Sequence, residues 1–263
     1  MCGIAGASLS PGSSVDRTLA AQSLLAGIAE RGADAVGYAH RAGGTVEVHK
    51  QRSGATELLE RVRVPADGTE LLVHVRDYTK GHPSIEANNH PIRHGAVVGV
   101  HNGIIANDDA LFADHGWQRA EPGMTVDSEA IFALAEEADN RAEALEELYG
   151  AMATAWFDER RPGILYLARG VGRPLWIGRG AREAFFASTR VALETVERYA
   201  GVRLQKRELA QGELVALADG RVAWTERFRP DASYVEDAVL PAVRAPHEGA
   251  SCRQRLAALV SAA

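Results

Sequence analysis

Short apolar runs bounded by turn residues constrain this fold most. They recur at 152–157, 164–168, 175–177, 184–187, 204–208, 214–218 and 222–225. Such connections suit antiparallel strands, because a parallel neighbour needs a crossover of about a dozen residues or more. Asp219-Gly220 between the last two runs is a type I′ hairpin signal, and Gly43-Gly44 is another, between runs at 36–40 and 46–49. Further strands are expected at 2–9, 71–75 and 97–100, the last ending in His101-Asn102-Gly103. Helical patterns cover 15–30, 55–62, 108–115, 127–138, 141–149 and 191–199, with a final helix at 252–260. Many antiparallel strands with flanking helices make an α+β protein with stacked sheets. Residues 77–96, rich in Pro, Gly, Asn and His, read as a long loop, and a loop of that length in a compact domain is usually functional.

Charge and composition exclude several classes of function. The formal net charge of −6 gives no general attraction to nucleic acid or to an acidic membrane. No basic, apolar leader opens the chain, and no apolar run approaches the roughly 20 residues of a membrane span. Two cysteines occur, Cys2 and Cys252, and a disulfide between them would need an oxidising context that nothing in the sequence suggests. A soluble, cytoplasmic protein is expected.

The chemistry gathers around the opening residues, Met1-Cys2-Gly3-Ile4-Ala5-Gly6. With Met1 trimmed, Cys2 carries a thiol nucleophile and an α-amine base on one carbon, the N-terminal-amine form of nucleophilic catalysis. The plainer reading is a buried strand whose cysteine is a small hydrophobe. Arg76, at the end of a buried strand, can hold a carboxylate bidentately, or serve as a structural ion-pair partner. Asn102 and the Gly103 N–H can form an oxyanion hole, or merely a turn. Asp127 opens a helix and can take an ammonium group, or simply complement the helix dipole. His74, His82, His90, His94 and His101 crowd into one segment, but their spacing matches no compact zinc pattern, so no metal is expected there.

Taken together and in order, CGIAG at 2–6, RGADAVG at 31–37, HVR at 74–76, NNHP at 88–91, VHNGIIAN at 100–107 and VDSE at 126–129 resemble the class II glutamine amidotransferases. These are N-terminal-nucleophile hydrolases found in glucosamine-phosphate synthase, the purine amidophosphoribosyltransferase and asparagine synthetase. The resemblance spans about residues 2–225 and implies a four-layer αββα sandwich of two antiparallel sheets. It also implies roles: Cys2 the nucleophile, Asn102 and Gly103 the oxyanion hole, and Arg76 with Thr79 the grip on the α-carboxylate of L-glutamine. Asp127 would receive its α-ammonium, and Arg31 would support the site. No cofactor is implied.

Asp77, Tyr78 and Lys80 depart from the family pattern in the loop that would close over glutamine, and Asp34-Ala35 replaces a frequent Asp-Ser. The expected domain covers 2–229, with 230–263 a docking or flexible tail too short for a second catalytic domain. The ammonia would then serve a separate acceptor synthase subunit. Two alternatives stand beside this reading: a glutamine-binding regulatory module that has lost turnover, and a related hydrolase acting on another amino-acid amide.

Overall fold

The opening strand β1 (Gly3–Leu9) is buried at every position, so both of its faces must be covered. The computed structural model describes residues 1–236 and 244–262 and shows how this is done. The chain continues through α1 (Arg17–Ile28), β2 (Ala35–Ala42), β3 (Thr45–Gln51), α2 (Ala55–Leu58), β4 (Glu70–Arg76), β5 (Ile92–His94) and β6 (Val97–Ile105). It then forms α3 (Asp108–His115), α4 (Glu129–Glu137), β7 (Gly150–Asp158), β8 (Ile164–Arg169), β9 (Trp176–Arg179) and β10 (Glu183–Ala187). The last elements are α5 (Arg190–Ala200), β11 (Gln205–Glu208), β12 (Glu213–Ala218), β13 (Arg221–Arg227) and α6 (Pro246–Ala262).

Two sheets form, in the orders β11-β9-β10-β1-β4-β2-β3 and β13-β12-β8-β7-β6-β5. Adjacent strands in both run antiparallel. Three apolar layers hold them together. Ile4, Leu72, Val100, Phe157, Phe186 and Val215 interdigitate between the sheets. Leu24, Leu25, Val73, Phe185, Val196 and Leu256 fill the space between the first sheet and its helices α1, α5 and α6. Phe132, Leu134, Trp156 and Tyr166 do the same under α4 on the second sheet. The protein is a four-layer αββα sandwich.

The differences from sequence expectation have identifiable causes. β6 does not end at His101-Asn102-Gly103 but runs on to Ile105, because β7 pairs with it from Val97↔Asp158 to Ile105↔Gly150. The 77–96 loop contains β5, which pairs with the start of β6. The helix expected at 141–149 is a 3-10 run, Ala142–Glu147. The C-terminal helix starts at Pro246, six residues before the expected start, where Ala245 N–H donates to Glu30 O at 2.9 Å and Thr56 N–H donates to Glu248 Oε2 at 2.8 Å. Its own Cys252 and Leu256 are fully buried, and both cysteines are free thiols. Of the tail expected over 230–263, residues 237–243 and 263 lie outside the described residues. Among the described residues no helix is long and apolar enough to cross a membrane.

Candidate active site

Register places the opening cysteine. β1 pairs with β4 through Gly3↔Val75, so Cys2 stands beside the end of β4, where Arg76 lies. The Cys2 Sγ is 3.5 Å from Asp77 O, and its carbonyl accepts a 2.9 Å hydrogen bond from Arg31 Nε. Gly32 is needed beside it, because a Cβ there would sit 2.3 Å from Arg76 O. Burial pushes the Cys2 thiol up, while the N-terminal ammonium, Arg76 and Arg31 pull against it. The thiol therefore needs a base. Burial, with Arg244, Arg31 and Arg173 nearby, lowers the Met1 ammonium to about 6, in spite of its contact with the Asp77 carboxylate.

β6 delivers Asn102 and Gly103. Asn102 is fully buried, and neither atom of its amide has a hydrogen-bond partner. A buried amide left unpaired costs about 1–3 kcal/mol, which makes it a candidate for work elsewhere. Gly103 adopts φ 153°, and a Cβ there would lie 1.8 Å from Ala151 O, so only glycine fits. The preceding His101 is fixed through Nδ1 to Ser128 Oγ at 2.8 Å.

Arg76, 2% exposed, donates to Asn89 Oδ1 at 2.6 Å, to Lys80 O at 2.9 Å and to Gly81 O. Asp127 accepts the Ile105 N–H at 2.7 Å, and burial raises its carboxyl to about 6. Cys2, Gly103, Arg76, Thr79 and Asp127 line one cavity. Its room for a water-sized sphere is only about 10 Å³, enough for roughly one water. Asn102 and Arg31 stand outside that lining, the first next to Gly103 on β6, the second behind the Cys2 carbonyl.

Several contributors escaped the sequence reading. Asp77, singled out only as a departure, binds both the N-terminal ammonium and Arg244. Lys80 Nζ lies 2.7 Å from Asp108 Oδ1 and 2.8 Å from Asp109 Oδ2, holding its loop to the start of α3. The NNHP run was the available signal for two more: Asn89 orients Arg76, and Asn88 Oδ1 accepts the Thr125 and Val126 N–H groups at 2.7 and 3.1 Å. His74, His90 and His101 are all buried near this site. His74 stacks on His90 at 4.2 Å, and burial holds His74 and His101 down to about 3, so both stay neutral.

The comparisons agree with this architecture. A family model described as a glutamine amidotransferase domain matches residues 79–195. Glutamine–fructose-6-phosphate aminotransferase (isomerizing) of Shigella flexneri is 34% identical over 213 residues, covering 75% of this chain and 33% of that protein. The Vibrio cholerae enzyme of the same name is 34% identical over 220 residues, with the same coverage of 75% and 33%. The chain thus spans about a third of the length of these curated relatives. Among solved structures, glutamine phosphoribosylpyrophosphate amidotransferase from B. subtilis superposes with a TM-score of 0.65 at 21% identity, over 86% of this chain and 49% of that one. A structure described as the allosteric regulatory enzyme of purine biosynthesis gives 0.68 at 22% identity, with coverage of 86% and 49%. These likenesses show the fold. With the sequence relatives and the family model, they place a class II glutamine amidotransferase domain, of the N-terminal-nucleophile type, in this chain.

Proposed function

We propose that the protein hydrolyses the side-chain amide of L-glutamine through a thioester on Cys2 and supplies the ammonia to an acceptor site outside the sequence described. The observation that carries this is the single cavity shared by the Cys2 thiol, Gly103, Arg76 and Asp127, with the unpartnered amide of Asn102 beside Gly103. The α-amine of Cys2, freed by loss of Met1, takes the thiol proton. The thiolate then attacks the amide carbon, while Asn102 Nδ2 and the Gly103 N–H receive the developing oxyanion. Ammonia leaves, and water cleaves the γ-glutamyl thioester to glutamate. Arg76, aided by Thr79, grips the α-carboxylate; Asp127 takes the α-ammonium; Arg31 fixes the Cys2 backbone.

Free ammonia at neutral pH is mostly non-nucleophilic ammonium, so direct delivery to a second site gains rate. That favours a partner synthase subunit as the acceptor, with 2–229 the catalytic unit. The test is steady-state ammonia release from glutamine by wild type and Cys2→Ala, with intact mass recorded for each. Activity should belong to protein lacking Met1 and vanish in Cys2→Ala with the circular-dichroism spectrum unchanged. Turnover above a few per cent in Cys2→Ala, or full activity with Met1 retained, would overturn the mechanism.

A further inference from the structure

The β2–β3 hairpin carries a second cluster of chemistry. Antiparallel register sets His40 opposite Glu47 and Tyr38 opposite His49. The period-two alternation of strands then puts all four side chains on one face. His40 is only 2% exposed, and neither of its ring nitrogens has a hydrogen-bond partner. A buried imidazole with both nitrogens unpaired is uncommon, and here it is aimed at a carboxylate and a second imidazole. His40 Nε2 lies 3.9 Å from Glu47 Oε2, and His49 Nε2 lies 3.5 Å from the same oxygen. One ligand atom from each of the three residues falls within 4.8 Å of the others. In a tetrahedral site with bonds of about 2.0–2.1 Å, donor atoms stand about 3.3 Å apart, so small side-chain rotations suffice.

The surroundings favour occupancy. The His40 and His49 rings are nearly parallel, 5° apart, and Tyr38 stacks on His49 with centroids 4.6 Å apart, restricting its rotation. A cleft of about 430 Å³, bordered also by Arg61, Arg63 and Val64, opens onto the cluster. Both arginines are engaged elsewhere: Arg63 Nη1 donates to the carbonyls of Glu60 and Val62 at 2.8 and 2.7 Å, and Arg61 Nη2 bonds Gln51 and Glu57 at 3.0 and 3.1 Å. Glu47 is left to face the two histidines.

We propose that His40, Glu47 and His49 bind a divalent transition-metal ion, with Zn²⁺ the best fit, that clips the edge strand β3 to β2. Two imidazoles and one carboxylate suit late first-row ions and disfavour Mg²⁺ and Ca²⁺, which take oxygen ligands. Water completes the coordination. The clip is structural, because β3 is the unpaired edge of its sheet, an exposed position that proteins commonly protect. β2 pairs on its other side with β4, through Ala35↔Arg76 at the candidate active site.

The test uses tag-free, chelator-treated full-length protein titrated with Zn²⁺ against a chromophoric competitor. His49 and Glu47 are 46% and 57% exposed, so His49→Ala and Glu47→Gln leave the core intact. Wild type should bind one ion per chain at micromolar or tighter affinity, and the double variant should bind at least about tenfold more weakly. Absence of saturable Zn²⁺ binding by wild type, or a smaller loss in the double variant, would overturn the proposal.

Discussion

Arg244, at the head of the C-terminal segment, pairs with Asp77, the residue that follows Arg76: its Nε lies 3.0 Å from Asp77 Oδ2 and its Nη1 3.1 Å from Oδ1. The same carboxylate holds the N-terminal ammonium, so one acid beside Arg76 joins the chain's first residue to the start of its C-terminal segment. Arg173, which pairs with Glu236 at 2.6 Å, anchors the segment that leaves β13.

The C-terminal helix is a packed element by this geometry. Leu256 is fully buried in the layer formed with α1. Leu256→Ala should therefore destabilise the protein by about 2–5 kcal/mol, the usual cost of truncating a fully buried leucine. Urea denaturation at an unchanged m-value checks this. A loss below about 0.5 kcal/mol would show that α6 contributes nothing to the fold and is free to dock elsewhere.

Asn102 should separate activity from stability. Its amide has no partner in the resting structure, so Asn102→Ala removes an unsatisfied buried group along with some packing. The two effects oppose, and stability should change by no more than about 1 kcal/mol. If the amide receives the oxyanion, kcat should fall about 10²–10³-fold. Equal and modest losses of stability and activity would make Asn102 a packing residue.

Asp127 predicts a pH dependence with a definite sign. Its carboxyl is raised to about 6, mainly by burial. Above that pH it is an anion able to pair with the ammonium of glutamine; below it, the neutral acid cannot. Glutamine affinity of the inactive Cys2→Ala protein, measured by calorimetry, isolates this from the chemistry. Affinity should fall as pH drops through about 6, approaching tenfold per pH unit, and Asp127→Asn should bind weakly at every pH. A flat profile for the Cys2→Ala protein between about pH 5 and about pH 8 would remove Asp127 from the head-group site.

The layers were legible because strand-length apolar runs and two-residue turns report local geometry. The pairing of β6 was not, since what extends it past Asn102 is β7, some fifty residues away. The residues Cys2, Arg76, Gly103 and Asp127 could be singled out together because each carries distinctive chemistry at a strand or helix end. Asp77 and Arg244 could not, because an acid and a base 167 residues apart give no local signal. His40 escaped for the same reason: sequence shows a histidine in a strand, and only the cross-strand register shows Glu47 and His49 beside it.

Lys80 ties the loop that borders the Cys2 cavity to the start of α3. The cavity has room for about one water, far less than the proposed glutamine, and Tyr78, Thr79 and Lys80 form part of its wall, so movement of this loop would open it. Lys80 opposes that movement by bridging to Asp108, which is 2% exposed, and to Asp109, which is solvent-facing. Lys80 itself is 36% exposed, so solvent screens the pair and its contribution is about 1 kcal/mol at most. That corresponds to about a fivefold shift in the open population. Lys80→Met should therefore speed alkylation of Cys2 by iodoacetamide about two- to fivefold, read from the mass of the N-terminal peptide. Raising the salt concentration should move wild type partway in the same direction, because exposed ion pairs are screened. Cys252, fully buried on the inner face of α6, serves as the internal control and should keep its rate. Unchanged Cys2 reactivity in Lys80→Met, with or without salt, would mean that the loop is held by the Arg76 contacts to the Lys80 and Gly81 carbonyls instead.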